Sequence, residues 1–393
     1  MANWPIFDDE QVEAVARVLR SGRVNAWTGP EVGEFEAAFA KLTGTEHAMA
    51  MANGTVTLDT ALRVLDLEPG DEVIVSPRSF VASASCVMLA GGIPIFADVD
   101  RDSQNITPAT IAPLIGPRTR GILAVHHAGW PCDMAGILDL ASAHDLWVIE
   151  DCAQAHGAKI DGQHIGGFGT FGSFSFCQDK IMTTGGEGGL LVTNDETLFA
   201  RAWSFKDHGK NRATVMAPAD APGFRWLHDG PPGTNLRMTG MQAALGLVQI
   251  ARLPEWRRIR SRNAHILVEA LAEDPLFRVP LPAQGITHAY YRFYVFLRLD
   301  ALAGGWNRDR ILDEIKAAGF QALTGSCPEI YRERVFADHG LGPSAPLPVA
   351  QELGETSLAF LVDPAQTEED LAELADVLKA ISRKAVRKST RCA

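Results

Sequence analysis

The chain has no run of eighteen apolar residues, which excludes a helix that spans a bilayer. It is short of positive charge: 36 lysines and arginines stand against 48 aspartates and glutamates, a net charge of −12. That argues against broad affinity for nucleic acid or an anionic membrane, though not against a local basic pocket. It has no CxxC pair. Its six cysteines, Cys86, Cys132, Cys152, Cys177, Cys327 and Cys392, are scattered, the pattern of reduced and mostly buried thiols. The opening MANWPIFDDEQ has no basic stretch leading into an apolar core, so no secretory signal is read there and a cytoplasmic location is expected. No internal repeat and no appended DNA-binding module is visible. His126 and His127 are expected on one strand, where adjacent residues face opposite sides and cannot chelate one ion, so no metal site is expected.

What is present is an ordinary globular chain, 46% hydrophobic and 21% charged over 393 residues. That length suits a large domain with a smaller companion. The first helix is expected over 8–22, with Asp8 and Gln11 at its cap, Gly22 at its end, and Val12, Val15, Val18 and Leu19 on one face. From residue 48 to 194 apolar runs alternate with helical segments. The runs are AMAMA (48–52), EVIVS (72–76), IPIFADV (93–99), RGILAVHH (120–127), LWVIEDC (146–152), GSFSFC (172–177) and GLLVTN (189–194). Helices are expected over 55–67, 135–145 and 195–205. Such alternation predicts an α/β fold: a seven-stranded, mostly parallel sheet between helices, with ligands bound at the carboxyl ends of its strands.

A long helix over 238–271, capped by Thr239 and Gln242, is expected to be interrupted at Pro254. Beyond it the pattern is α+β. An aromatic strand is read at 288–300, a helix at 308–320, a strand at 355–362 and a capped helix at 367–381. The reading divides the chain into a large domain (1–250), a smaller α+β domain (251–385) and a basic, frayed tail (386–393). The first helix is a candidate to pack on the small domain.

Three features with chemical content lie at strand ends. Asp151 closes LWVIEDC, and Ser173, Ser175 and Lys180 surround the end of SFSFC. Asn53, Gly54 and Thr55 close AMAMA and open a helix, where free N–H groups favour an anion. Singly, each has a plain structural explanation: a helix cap, a surface lysine, a turn. Together they match the needs of pyridoxal phosphate (PLP): a lysine for its aldehyde, an anion for its pyridine nitrogen, N–H and hydroxyl donors for its phosphate.

Seven blocks then appear in order: GRVNAWTGPEVGEFEAAFAKLTG, NGT, EPGDEVIVSPRSFVASA, GGIPIFADVD, IEDCAQAHGA, SFSFCQDKIMTTGGEGG and NLRMTGMQAALGLVQI. In these the chain resembles the DegT/DnrJ/EryC1/StrS family of PLP-dependent sugar aminotransferases, which have the aspartate aminotransferase fold (type I). The resemblance covers residues 4 to 255 well and the last third only in general pattern. It implies that Lys180 is the Schiff-base lysine and proton shuttle, and that Asp151 partners the pyridine nitrogen. Gln154 would lie beside the cofactor's 3-hydroxyl and Phe80 would stack on its ring. Gly54, Thr55 and Ser175 would hold the phosphate, with Asn235 reaching it from the neighbouring subunit of a homodimer with shared sites.

The departures are Asn53, where serine is commoner, and the extra glycine of TTGGEGG, which bears on Glu187. That residue is expected to fix the loop through its carboxylate. The resemblance implies a small-molecule amino donor, glutamate or glutamine, and a keto-sugar acceptor that is nucleotide-linked. The alternatives are a cyclitol ketone of the scyllo-inosose type, or a PLP-binding regulator without turnover. A related sugar dehydratase carries histidine in place of the lysine, so Lys180 argues against that activity. His208, Lys210, Arg212, Arg225 and Arg237 are the candidate cations for a diphosphate.

Overall fold

The computed structural model describes residues 4–217 and 226–387. Seven strands form the main sheet: β1 His47–Met51, β2 Glu72–Val75, β3 Ile93–Phe96, β4 Thr119–Val125, β5 Trp147–Asp151, β6 Phe171–Ser175 and β7 Gly189–Thr193. Their order is β1-β7-β6-β5-β4-β2-β3. The pairs β3/β2, β2/β4, β4/β5 and β5/β6 are parallel, and β7 runs antiparallel to both β6 and β1. These are the seven apolar runs read from the sequence, in one sheet of type I architecture. β2 and β5 are buried almost throughout, as befits strands covered on both faces. β4 stops at Val125, so His126 and His127 follow the strand instead of ending it.

Helix α1 (Asp9–Ser21) has the expected ends: the Asp8 carboxylate accepts from the Gln11 N–H at 3.2 Å, and Gly22 closes it at φ 69°. Its buried face is different, however. Gln11, Ala14 and Val18 are buried, while Val12 and Leu19 are exposed. The reason is the partner. α1 lies against the long helix Gly240–Leu271, and the contact is narrow and partly polar, the Gln11 Oε1 accepting from the Gln249 amide at 3.0 Å. The long helix is unbroken through Pro254. It packs against α1, against α2 (Glu31–Thr43) and against the last helix, and tertiary packing of this kind overrides a lost backbone bond. The division expected at residue 250 falls inside it.

A second sheet joins Phe277–Arg278, Phe293–Leu297 and Ser357–Phe360, and the helices Arg308–Ala317 and Glu368–Ala385 share a buried apolar cluster with it. The strand expected over 288–300 begins only at Phe293. Tyr290 takes a left-handed backbone (φ 50°), and the N–H groups of Ala289 and Tyr291 donate to the carbonyls of Gly129 and Ala128. Residues 288–291 are thereby turned toward the main sheet. The last helix runs to Ala385. Val386 bridges Leu302 and the Arg387 N–H donates to Ala301, so the start of the basic tail is tied down instead of frayed. Residues 388–393 of the tail, with Cys392, lie outside the described residues.

Candidate active site

The carboxyl ends of β5 and β6 face the start of helix α3 (Gly54–Val64). Asp151 and Ser173 are register partners on adjacent parallel strands. The Ser173 hydroxyl meets that of Thr57, in α3, at 2.6 Å. Two residues on, Ser175 crowds the helix start: a Cβ on Gly54 would lie 2.5 Å from the Ser175 Cβ. A Cβ on Gly189 would collide with the Asn53 carbonyl. Glycine is needed at both places because strand and helix backbone approach too closely for a side chain. Asn53 caps the helix, its Oδ1 accepting from the Val56 N–H at 3.0 Å. The N–H groups of Gly54 and Thr55 find no acceptor among the described residues. The result is a helix N-terminus with two open donors and two hydroxyls, Thr55 and Ser175, beside it, which is the donor set of an anion cradle.

Asp151 is buried beneath this surface. Its Oδ1 accepts from the Ala153 N–H at 3.1 Å and its Oδ2 from the Ser83 hydroxyl at 2.7 Å. Ser83 in turn takes the proton of the Ser79 hydroxyl at 2.8 Å. Both serines lie in the block PRSFVASA, where nothing in their spacing marks them out. Gln154 is fixed by the Ala128 N–H, which donates to its Oε1 at 2.8 Å and leaves the amide N–H₂ without a partner among the described residues. Phe80 is 65% exposed, an unusual place for a phenyl ring, and it lines a cavity of about 690 Å³ together with Ser79, Gln154 and Lys180.

Lys180 rises from a turn in which its own N–H donates to the Cys177 carbonyl at 3.0 Å. Its Nζ lies 3.9 Å from Asp179 Oδ1 and 5.0 Å from the centre of the Tyr291 ring. The Tyr291 hydroxyl donates to Asp179 Oδ2, and Arg292 stands 3.7 Å from the same oxygen. Burial pushes the Asp179 carboxyl up, but Lys180, the Tyr291 hydroxyl and Arg292 outweigh it and hold it below the ordinary carboxylate range. Sequence reasoning missed Tyr291 and Arg292, because an aromatic alternation hid a left-handed turn. Asp179 could have been noticed as the neighbour of Lys180.

The loop after Lys180 is fixed by the Glu187 backbone, not its carboxylate. The Glu187 carbonyl accepts from Thr184 Oγ1 at 2.6 Å and from the Gln242 amide at 2.7 Å, while its side chain is exposed. Gly185 and Gly186 sit at φ 92° and 122°, which other residues rarely adopt. Asn235 is exposed, bridges Asp207 and accepts from the Arg237 N–H at 3.3 Å. It does not line the cavity of its own chain. Nor do His208, Lys210, Arg212 and Arg237. Lys210 and Arg237 both pair with the buried Asp207, at 2.9 and 2.8 Å, and Arg212 lies over the Phe199 ring. Arg225 lies outside the described residues.

His126, Glu150 and Cys152 have ligand atoms within 4.8 Å of one another. His126 Nδ1 accepts from the Cys132 N–H at 2.9 Å, so Nε2 carries the proton and donates to Glu150 at 3.0 Å. Glu150 also accepts from the N–H groups of Gly166, Phe168 and Gly169. These atoms clamp the turn that leads into β6.

A family model described as the DegT/DnrJ/EryC1/StrS aminotransferase family matches residues 5–379. The chain belongs to that family. It is therefore an aminotransferase, and the family's cofactor is PLP. Among relatives, it is 34% identical over 378 residues to a UDP-N-acetyl-3-dehydro-alpha-D-glucosamine 3-aminotransferase of Acidithiobacillus ferrooxidans, covering 96% of this chain and 95% of that one. Among solved structures, an aminotransferase from Psychrobacter cryohalolentis superposes with TM-score 0.95 at 48% identity, covering 98% and 99% of the two chains. DesV of S. venezuelae gives 0.85 at 31%, covering 95% and 94%. PLP fits the residues present. The open N–H groups and hydroxyls at the start of α3 suit its phosphate, the exposed Phe80 ring suits its flat face, and the buried Asp151 suits a ring cation. No helix among the described residues is long and apolar enough to cross a membrane.

Proposed function

We propose that this aminotransferase moves an amino group from glutamate or glutamine to the ketone of a nucleotide-linked keto-sugar. The observation that supports the reading most is the constellation at one end of the sheet. An amine and an exposed aromatic line a cavity large enough for a sugar, a buried carboxylate stands behind it through Ser83 and Ser79, and an anion cradle lies at the adjoining helix start. The printed activity of the Acidithiobacillus relative, matched over nearly its full length, supports a sugar acceptor.

Bound PLP supplies an electron sink that makes the amino-bearing carbon acidic. The chain's own residues do the rest. Lys180 would hold the cofactor's aldehyde and, when free, would take up and give back a proton at its Nζ. Asp151 would pair with the protonated ring nitrogen, and the Ser79–Ser83 hydroxyl chain aims its carboxylate. Gln154, its Oε1 held by the Ala128 N–H, would offer its amide N–H₂ to the cofactor's 3-hydroxyl, and Phe80 would stack on the ring. Gly54, Thr55 and Ser175 would hold the cofactor's phosphate through their N–H and hydroxyl groups. Over the two halves the ketone exchanges its oxygen for the amino group and a carbon-bound hydrogen, the donor makes the reverse exchange and leaves as its 2-oxo acid, and the water consumed in one half is released in the other.

The same reading makes the enzyme a homodimer in which Asn235 closes the partner's phosphate site. Its exposure is what such a role requires. Two measurements test the proposal. Enzyme loaded with the pyridoxamine form is mixed with a panel of keto-sugar nucleotides and cyclitol ketones. Return of the aldehyde absorbance with a keto-sugar nucleotide supports it, and return with cyclitol ketones alone overturns it. Separately, Lys180→Ala and a bulky Asn235 variant, each inactive, are refolded together. Recovered activity supports shared sites, and none rejects the trans role of Asn235.

A further inference from the structure

The turn that carries Lys180 is held by the opposite end of the chain. The indole N–H of Trp4 donates to the Lys180 carbonyl at 2.8 Å, across 176 residues of sequence. The Trp4 ring stands edge-on to Trp256 at 4.9 Å. The fully buried Arg260 guanidinium lies over the same ring at 5.3 Å. Arg260 also donates to the Tyr290 carbonyl at 3.2 Å and reaches that of Tyr291, whose hydroxyl grips Asp179. A second tie starts seven residues after Trp4. The buried Gln11 accepts from the Gln249 amide at 3.0 Å, and Gln249 accepts from the Thr183 N–H at 2.8 Å. Residues 180 and 183 are thus bonded, directly or through one side chain, to residues 4 and 11. Between them Ile181 and Met182 are wholly buried.

We infer that the N-terminal segment, residues 4–11, is a positioning element for Lys180, acting through the Trp4 indole and the Gln11–Gln249–Thr183 relay. A lysine that bonds a cofactor and then moves a proton must return to one place on every turnover. Its side chain is only as well placed as the main chain beneath it, and a displacement near 1 Å costs ~10²-fold in rate. The ring contacts with Trp256 and Arg260 would dock the segment without any bond to the turn. The N–H bond and the glutamine relay are what reach the turn itself. This inference rests on Lys180 being the active amine, and its test reads the turn's order without reference to the substrate.

The experiment is hydrogen–deuterium exchange of the full-length holoenzyme, followed in the peptide 177–184. Trp4→Phe retains an aromatic ring for Trp256 and Arg260 and removes the donor. Gln11→Met retains length and removes the acceptor. Each should speed exchange in 177–184 by roughly 2- to 10-fold, the opening expected from one lost hydrogen bond, with β4 unchanged. Each should also lower kcat more than it changes KM for the donor, and weaken the visible circular dichroism of the bound cofactor. Arg252→Ala breaks the exposed ion pairs of Arg252 with Asp8 and Glu10 but no bond to the turn, so it should leave 177–184 as it was. Unchanged exchange in both Trp4→Phe and Gln11→Met overturns the inference. So does faster exchange throughout the sheet, or an equal effect of Arg252→Ala, since either would mean the segment only docks.

Discussion

The cavity's two walls are built in different ways. One consists of turns that follow strand ends, residues 79–81, 154 and 179–180, with Asp151 behind them through Ser83 and Ser79. Each piece is a short contiguous stretch, and each is positioned by the sheet register. The other wall runs from Leu323 to Val335, far along the chain. It is fixed by distant contacts: the Ile330 N–H donates to the Pro77 carbonyl at 2.8 Å, and Tyr331 and Phe336 pack on Phe96. The first wall carries the groups that suit a cofactor. The second offers Ser326, Glu333 and Arg334 to whatever else enters. The difference teaches that one cavity can combine short local stretches set by a sheet with a segment held only by distant contacts.

Substitutions can sharpen or break that division. Lys180→Ala, on the first wall, should bind PLP through the phosphate cradle yet lose transamination by ~10³–10⁴-fold or more in both half-reactions. Single-turnover absorbance with donor and with acceptor measures this, and a loss in one half alone would break the comparison. Asp151→Ala should cost ~10²–10³-fold, again in both halves. Near-normal turnover would mean another group holds the ring nitrogen. Arg334→Ala, on the second wall, should raise KM for the acceptor roughly 3- to 10-fold and leave the donor half-reaction alone. An equal effect on both halves would merge the two walls.

The smallest effect concerns pH and the turn that brings Tyr291 to the site. Burial lowers the His288 ring from its ordinary 6.5 to about 3, and the Tyr290 N–H donates to its Nδ1 at 2.8 Å. Between those pH values the unfolded chain takes up a proton that the folded chain refuses. Stability therefore falls as pH drops from 6.5 toward 3, and the buried His156, lowered to about 3 by burial and then by Lys180, acts with the same sign. His288→Asn offers an acceptor for Tyr290 and removes the titration. Thermal unfolding between pH 7 and 4 should then show a shallower decline, and an unaltered slope would remove His288 from the account.

The sheet was legible because apolar runs with helices between them permit little else. All seven strands stand where those runs are. The residues at their ends were legible for the same reason: a carboxylate at the end of LWVIEDC and an amine after SFSFC project from the carboxyl edge. Three things were not visible. Val12 and Leu19 look like core positions, but α1 meets its partner through Gln11, Ala14 and Val18. HAYYRFYV alternates like a strand, yet Tyr290 turns back and delivers Tyr291 to Asp179. Trp4 and Gln11 reach residues near 180 only through tertiary folding, which no local pattern records.

The central claim is that Lys180 is the amine that holds the cofactor. The direct measurement is borohydride reduction of the purified holoenzyme, followed by proteolysis and mass mapping of the phosphopyridoxyl label. The account predicts one label per chain, on Lys180, in the peptide that contains CQDKIMTT. A label on Lys159, Lys206 or Lys210 in its place, with Lys180 unmodified, would contradict it.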